Sequence, residues 1–203
     1  MDVSKKANVI RHFIFGNGKT RLNIDFDEVK PYGTIYACNA VYRVYKPDYL
    51  IAVDKKMLEE LHNTGYMQDH NVYTYITQKT LKYQNLNYID PALGYSSGPT
   101  ALYLSKTHCP DEVYIFGFDF EGIDGKINNV FAGTINYRPA DHAATFYGNW
   151  LKQTENIIKE NTHIKYFRVT IPNFFETKWT YDNYYQILYE DFRKMISTWD
   201  KIR

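Results

Sequence analysis

Val9-Ile10-Arg11-His12-Phe13-Ile14-Phe15-Gly16-Asn17-Gly18 is an apolar run that ends abruptly in two glycines around an asparagine. Such a run reads as a buried strand breaking into a tight turn, because glycine tolerates positive φ and lets a ligand approach the backbone closely. In an open α/β sheet, the carboxyl end of the first strand is where nucleotides dock.

The segments that follow repeat the same punctuation. Leu22 to Val29 is expected as a short helix closed by Lys30-Pro31-Tyr32-Gly33. Thr34–Cys38 and Tyr49–Val53 read as strands ending at Asn39 and Asp54. Lys55 to Asn63 carries apolar residues at 57, 58 and 61, a helical spacing, with Gly65 as its stop. Val72–Ile76 and Leu86–Ile89 read as two more strands. Ser97-Gly98-Pro99 opens a helix to about Thr107, proline suiting a first turn where its missing N–H is unpaired anyway. Glu112–Gly117 is the most strand-like segment of the chain, and residues 122–140 form a long loop of the kind that serves as a lid. A helix from about Asp141 to Asn161, a strand at Ile164–Val169 and an amphipathic helix within Tyr181–Ile202 complete the series.

Strand and helix alternate, so the economical architecture is a Rossmann-like α/β domain, with a mostly parallel sheet and helices on both faces. Its expected bounds are 1–175, with the lid loop at about 122–140 and a C-terminal helical extension over 176–203.

Of the 203 residues, 44% are hydrophobic and 17% aromatic, with 20 tyrosines, an excess that suits rings half-buried beside a groove or a subunit contact. A net charge of +1 with scattered Lys and Arg gives no reason to expect nucleic acid or an acidic membrane as partner. Cys38 and Cys109 make neither a disulfide framework nor a metal-ligand spacing. The N-terminus, Met-Asp-Val-Ser-Lys-Lys, lacks the apolar core of a signal peptide, and no run approaches the ~20 residues of a spanning helix. The expectation is a soluble cytoplasmic protein, with the tyrosine surplus and amphipathic tail leaning towards a homo-oligomer.

Gly18-Lys19-Thr20 has the ending of a phosphate loop, but position 13 is Phe where that motif needs a second glycine. Asp25-Phe26-Asp27 matches the Asp-x-Asp pattern of metal-dependent glycosyltransferases, yet it falls within an expected helix and reads as a solvated face. Asp119 either caps the turn after its strand, the preferred reading, or joins Glu121 and Asp124 in holding Mg²⁺ for phosphate transfer. Among the six histidines, His12 lies inside a strand, while His62, His70, His108 and His163 read as surface or loop residues. His142 follows the long loop and opens the long helix, where an imidazole can move protons near neutral pH.

Taken in order, these pieces resemble the bacterial sialyltransferases of glycosyltransferase family 42. Phe15-Gly16-Asn17-Gly18 is similar to that family's Gly-Asn-Gly nucleotide loop, Cys38-Asn39 to its Cys-Asn pair, and Ser96-Ser97-Gly98 to its Thr-Ser-Gly. Glu112 to Phe120 is similar to its Glu-Ile-Tyr-Leu-x-Gly-Ile-Asp-Phe strand, and a loop then leads to a histidine before a long helix. The resemblance implies a metal-independent, inverting transfer from a CMP-type sugar nucleotide, a substrate rather than a cofactor, to an acceptor it does not identify. Asn17 and Asn39 would bond ribose and phosphate, Ser97 and Gly98 would hold the nucleotide beside Gly16, Gly18, Ser96 and Asp119, and His142 would be the general base. Tyr137 and Arg138 would stabilise the leaving phosphate. The chain departs from the family in having Tyr137 as the sole tyrosine between Asp119 and His142, Asp54 where an asparagine is usual, and Lys19-Thr20 for Pro-Ser. A non-catalytic nucleotide-binding protein on the same scaffold is the second expectation.

Overall fold

The computed structural model describes residues 9–202; the expectation about a signal peptide falls on the segment before Val9, outside the described residues. Eight strands form one sheet: β1 (Arg11–Phe15), β2 (Thr34–Cys38), β3 (Tyr49–Ile51), β4 (Val72–Tyr75), β5 (Asn87–Ile89), β6 (Glu112–Phe116), β7 (Lys165–Thr170) and β8 (Tyr184–Leu188). Every pairing is parallel, in the order β5-β4-β3-β2-β1-β6-β7-β8. The expected Rossmann-like fold is the one observed. Strand order reverses at β1, which has β2 on one side and β6 on the other, so the Gly16-Asn17-Gly18 turn stands at the switch point.

Strand alternation builds two cores. Phe13, Phe15, Tyr114 and Phe116 point to one face, and Ile14, Val113 and Ile115 to the other. The first face is covered by α1 (Phe26–Val29), α2 (Lys55–Asn63), α3 (Tyr66–Asp69) and, near the C-terminus, the Tyr189 and Phe192 side chains. The second is covered by α4 (Ser97–Thr107) and α5 (Gly148–Glu160) through residues such as Leu102 and Ile158. With both sides covered, the strands are near-continuous apolar runs, as parallel sheets require.

Three expectations are corrected. The helix expected over Leu22–Val29 divides at Ile24, which is extended. Asp25 then caps α1: its side chain accepts from Asp27 N at 3.0 Å while Glu28 accepts from Asp25 N at 2.9 Å. The first aspartate of the Asp-x-Asp pair is therefore half of a capping box with Glu28. The long helix begins at Gly148 rather than Asp141. Residues 142–144 instead pair their backbone with the flap (residues 122–140), Ile127 N to His142 O at 3.0 Å and Ala144 N to Gly125 O at 2.8 Å. Finally, the tail expected as one helix is divided into β8, the edge strand beside β7, and α6 (Tyr189–Ile196). Within the expected helical extension, Tyr184–Leu188 thus adds the edge strand of the sheet. No helix among the described residues is long and apolar enough to cross a membrane.

Candidate functional site

A cleft of about 780 Å³ opens over the carboxyl ends of β1, β2, β3 and β6, a volume in the range that holds a small-molecule ligand. The resemblance-derived residues Gly16, Asn17, Gly18, Asn39, Ser96, Ser97, Gly98, Asp119, Tyr137 and Arg138 all line it. His142 does not: it is exposed, on the strap between the flap and α5.

The two glycines of the turn are needed for space rather than for unusual φ, since neither has a positive φ. A Cβ on Gly16 would stand 2.6 Å from the carbonyl oxygen of Gly117, and one on Gly18 would stand 2.7 Å from the same atom and press into the Asp119 carboxylate. The ends of β1 and β6 approach this closely because Gly16 N and Gly18 N bond to Phe116 O and Gly117 O at 2.8 and 3.0 Å.

Asp119 is buried, and its carboxylate accepts from Thr20 N at 3.1 Å, from the Thr20 hydroxyl, and from Asn128 Nδ2 at 2.8 Å. Those bonds do not cap the turn after its own strand, as the preferred reading had it; they hold the turn after β1 and a side chain of the flap. Asn128 also accepts from Lys19 N at 2.8 Å, so one carboxylate joins the glycine turn, the β6 exit and the flap. Glu121 accepts from Phe175 N at 3.0 Å. With those carboxylates committed to separate loops, and no cluster of three potential metal-ligating side chains among the described residues, the Asp119/Glu121/Asp124 metal reading has no geometric support.

Across the cleft, Asn39 adopts φ +53° at the end of β2 and accepts from the Ser97 hydroxyl at 2.9 Å. Ser97 in turn accepts from Val53 N at 3.2 Å, tying together the ends of β2, β3 and α4. Asp54 occupies the N-cap position of α2 but makes no capping bond. Its carboxyl faces the cleft, and burial pushes its pKa above the usual carboxylate range.

The flap is ordered rather than structureless. Phe131 packs into the first core. Arg43 bonds Glu60 at 2.7 and 2.6 Å, Thr134 Oγ1 at 2.8 Å and Ile135 O at 3.0 Å. Asn136 Nδ2 adds a bond to Glu60 at 2.6 Å. At its inner edge the Tyr137 hydroxyl accepts from Asn17 Nδ2 and Ala40 N, both at 3.4 Å. Burial raises the pKa of that hydroxyl strongly, so it stays protonated and able to donate. The carboxamide oxygen of Asn17 is buried and has no partner.

Several supporting residues escaped the sequence reading. Arg168, 2% exposed in β7, donates to Phe118 O at 2.9 Å, Phe175 O at 2.7 Å and Gln186 Oε1 at 2.6 Å. It holds the β6 exit on which Phe118 and Asp119 stand. A lone charge inside an apolar strand was the available signal. For Asn128, and for the Arg43–Glu60 pair, the sequence carries no local signal at all.

The sequence matches no protein-family model and no curated protein. Among solved structures, the fold is similar to that of a Tyr-to-Phe variant of the sialyltransferase CST-II in complex with CMP. The TM-score is 0.50 at 13% identity, over 81% of this chain and 82% of that one. At that identity the likeness establishes a shared fold.

Proposed function

We propose that this chain is a glycosyltransferase of the sialyltransferase type, moving a sugar from a CMP-type nucleotide donor to an acceptor hydroxyl with inversion. The observation that carries the reading is Asn17: its amide nitrogen is held by a single long bond of 3.4 Å, and its buried oxygen is unpaired, at the switch point of a cleft of about 780 Å³. A buried acceptor without a donor is rare in a folded protein, and a ribose hydroxyl would complete it. The CMP in the similar fold supports the same assignment.

In this reaction the acceptor oxygen attacks the anomeric carbon as the bond from that carbon to the donor phosphate oxygen breaks. The electron pair leaves on CMP. The protonated Tyr137 hydroxyl and the Arg138 guanidinium, both at the cleft wall, meet the growing phosphate charge. The acceptor proton passes to a base, for which His142 is the first assignment. Its strap carries Thr145 and Tyr147 into the cleft, and the assignment requires that strap to fold inward over bound donor.

A second base is favoured by one observation. Asp54 already faces the cleft without a partner, and its raised pKa brings it nearer the range that general bases need.

A thermal-shift panel of CMP, CDP, UDP, GDP, ADP, NAD and CMP-sialic acid, with and without Mg²⁺, tests the proposal, since a ligand of the folded state raises the melting temperature. Stabilisation by CMP and CMP-sialic acid without metal is expected. A response confined to another nucleotide, or dependent on Mg²⁺, overturns the sialyltransferase-type assignment. Nucleotide binding without turnover of any sugar donor would favour the non-catalytic reading.

A further inference from the structure

The sheet has two edges, and they are finished differently. β5 is three residues long and runs straight into Asp90-Pro91, so a charge and a proline blunt it. β8 is five residues, Tyr184-Tyr185-Gln186-Ile187-Leu188, with no charge, proline or glycine. It is held firmly: its whole length is in register with β7, Gln186 Oε1 accepts from Arg168 at 2.6 Å, and the Tyr185 ring stacks on Phe167 with centroids 5.0 Å apart. The segments on either side of it run back over the sheet, away from the edge. Phe175 and Trp179 pack on Phe120, and Phe192 of α6 packs on Tyr114 and Phe116 of β6.

The register fixes which backbone groups stand on the outer rim. Tyr166 N donates to Asn183 O at 2.8 Å, and in a parallel ladder this turns residues 183, 185 and 187 towards β7 and residues 184, 186 and 188 outwards. Of the N–H and C=O groups on those three outward residues, two are used within the chain. Tyr184 N donates to Tyr181 O at 3.0 Å, and Leu188 O, at the N-cap of α6, accepts the first bond of that helix. The others, Tyr184 O, Gln186 N, Gln186 O and Leu188 N, have no partner among the described residues.

We propose that β8 is a homodimer interface, pairing antiparallel with β8 of a second copy about a two-fold axis through Gln186. In that register the two Gln186 residues exchange both of their backbone bonds, and each Leu188 N donates to Tyr184 O of the other copy. Every free group of the rim is then used, whereas sliding the register by two residues either way leaves half of them unpaired. The same register sets Tyr185 opposite Ile187 of the copy, an aromatic–β-branched pair, and Tyr184 opposite Leu188. Asp182 and Glu190 stay off the ladder, in the turn before β8 and in α6. A two-fold contact of this kind closes at two copies. It joins the two sheets into one, and because all strands of a copy run parallel, the two clefts open at opposite rims.

Light scattering over a concentration series reads the mass, and hydrogen exchange at low and high concentration reads the rim amides. The wild type is expected to pass from one chain to two, with exchange at Gln186 and Leu188 slowing by about tenfold or more where two chains predominate. Leu188 has φ −84°, close to the angle proline takes, and its N–H is unused within the chain. Leu188→Pro therefore removes intercopy bonds alone, and is expected to weaken the dimer about tenfold or more with the melting temperature of the dilute protein kept. Tyr185→Lys places a charge on the rim, is expected to weaken the dimer likewise, and serves if Leu188→Pro does not fold. A wild type that stays at one chain throughout overturns the proposal, as does growth past two copies. A dimer that both variants leave intact, or one in which the Gln186 and Leu188 amides exchange freely, overturns it as well by placing the contact elsewhere.

Discussion

The side-chain amide of Asn128 donates to the carboxylate of Asp119 at 2.8 Å, and that bond joins the flap to the strand end forming the floor of the cleft. Because the same carboxylate also serves Thr20, the glycine turn, the floor and the flap are held by one buried group. Asp119→Ala leaves these donors unpaired and is expected to cost about 2–4 kcal/mol of stability. Urea unfolding measures it. A midpoint equal to the wild type's would show that the network contributes nothing.

Glycine is required at two kinds of position here, for different reasons. At Gly18 a Cβ would meet Gly117 O at 2.7 Å and the Asp119 carboxylate, so Gly18→Ala is expected to cost about 2 kcal/mol or more and to weaken nucleotide binding. Gly65, at φ +73° with nothing within 4 Å of its added Cβ, carries only backbone strain. Gly65→Ala should cost about 1 kcal/mol and leave binding untouched. Reversal of that order in denaturant melts would refute the steric account.

His12 gives the protein a dependence on pH that lies away from the cleft. The ring is 3% exposed, hydrogen-bonded through Nδ1 to Ser105 Oγ at 2.9 Å, and burial, with help from nearby His108, lowers its pKa to about 4. The unfolded chain, with its histidine near 6.5, therefore binds more protons between those two values. Stability contributed by neutral His12 is complete above about pH 6.5 and lost as pH falls towards 4, by about 3 kcal/mol at most. Melting temperatures from pH 4 to 7 should show this slope, and His12→Gln should flatten it. An unchanged slope in the variant would assign it to another group.

The choice of base is settled by paired variants. If His142 takes the acceptor proton, His142→Ala cuts turnover by about 10²–10⁴ while donor affinity stays near that of the wild type. Asp54→Asn should do the same if the carboxylate is the base, and should then remove the acidic limb of the pH–rate profile. Full turnover in both would place the base elsewhere.

Glu60 is the anchor for the outer part of the flap, bonded to Arg43, Tyr42 and Asn136. Glu60→Ala is expected to raise the rate of protease cutting within residues 122–140, with nucleotide slowing it again. Cutting rates unaffected by both would argue against a flap that opens.

What the sequence made legible was whatever local pattern dictates. Thr34–Cys38 and Lys55–Asn63 have the bounds their sequence suggests, because a short mostly apolar run stops at Asn39 and a three-and-four apolar spacing stops near Gly65. The cleft followed, since strand ends in a parallel sheet share one rim. The start of α5 was misread because residues 142–144 spend their backbone groups on the flap, a tertiary choice that composition does not record. His142 moved with that boundary, out of the cleft lining. Tyr184–Leu188 reads as part of a helix because apolar residues at 188, 192, 195, 196 and 199 set a helical spacing over the tail, and only the open edge of β7 decides for strand. Arg168 acts through a partner 50 residues away, beyond any window, and the bond of Asn128 to Asp119 joins two loop side chains that no periodicity relates.

The position of β1 has a consequence for how the chain is made. It lies at the centre of the sheet, yet β6, its neighbour on one side, is 101 residues further along, as the Arg11–Glu112 contact records. While the ribosome is still synthesising residues 39 to 111, β1 is paired only with β2, and Phe13 and Phe15 have an open flank. Such nascent chains present an unpaired apolar strand edge, the kind of surface that chaperones cover and that aggregates when they do not. Closure comes late and from the far half of the chain, so ribosome-stalled chains ending before Glu112 should be captured by trigger-type chaperones, and chains that include β6 and β7 released.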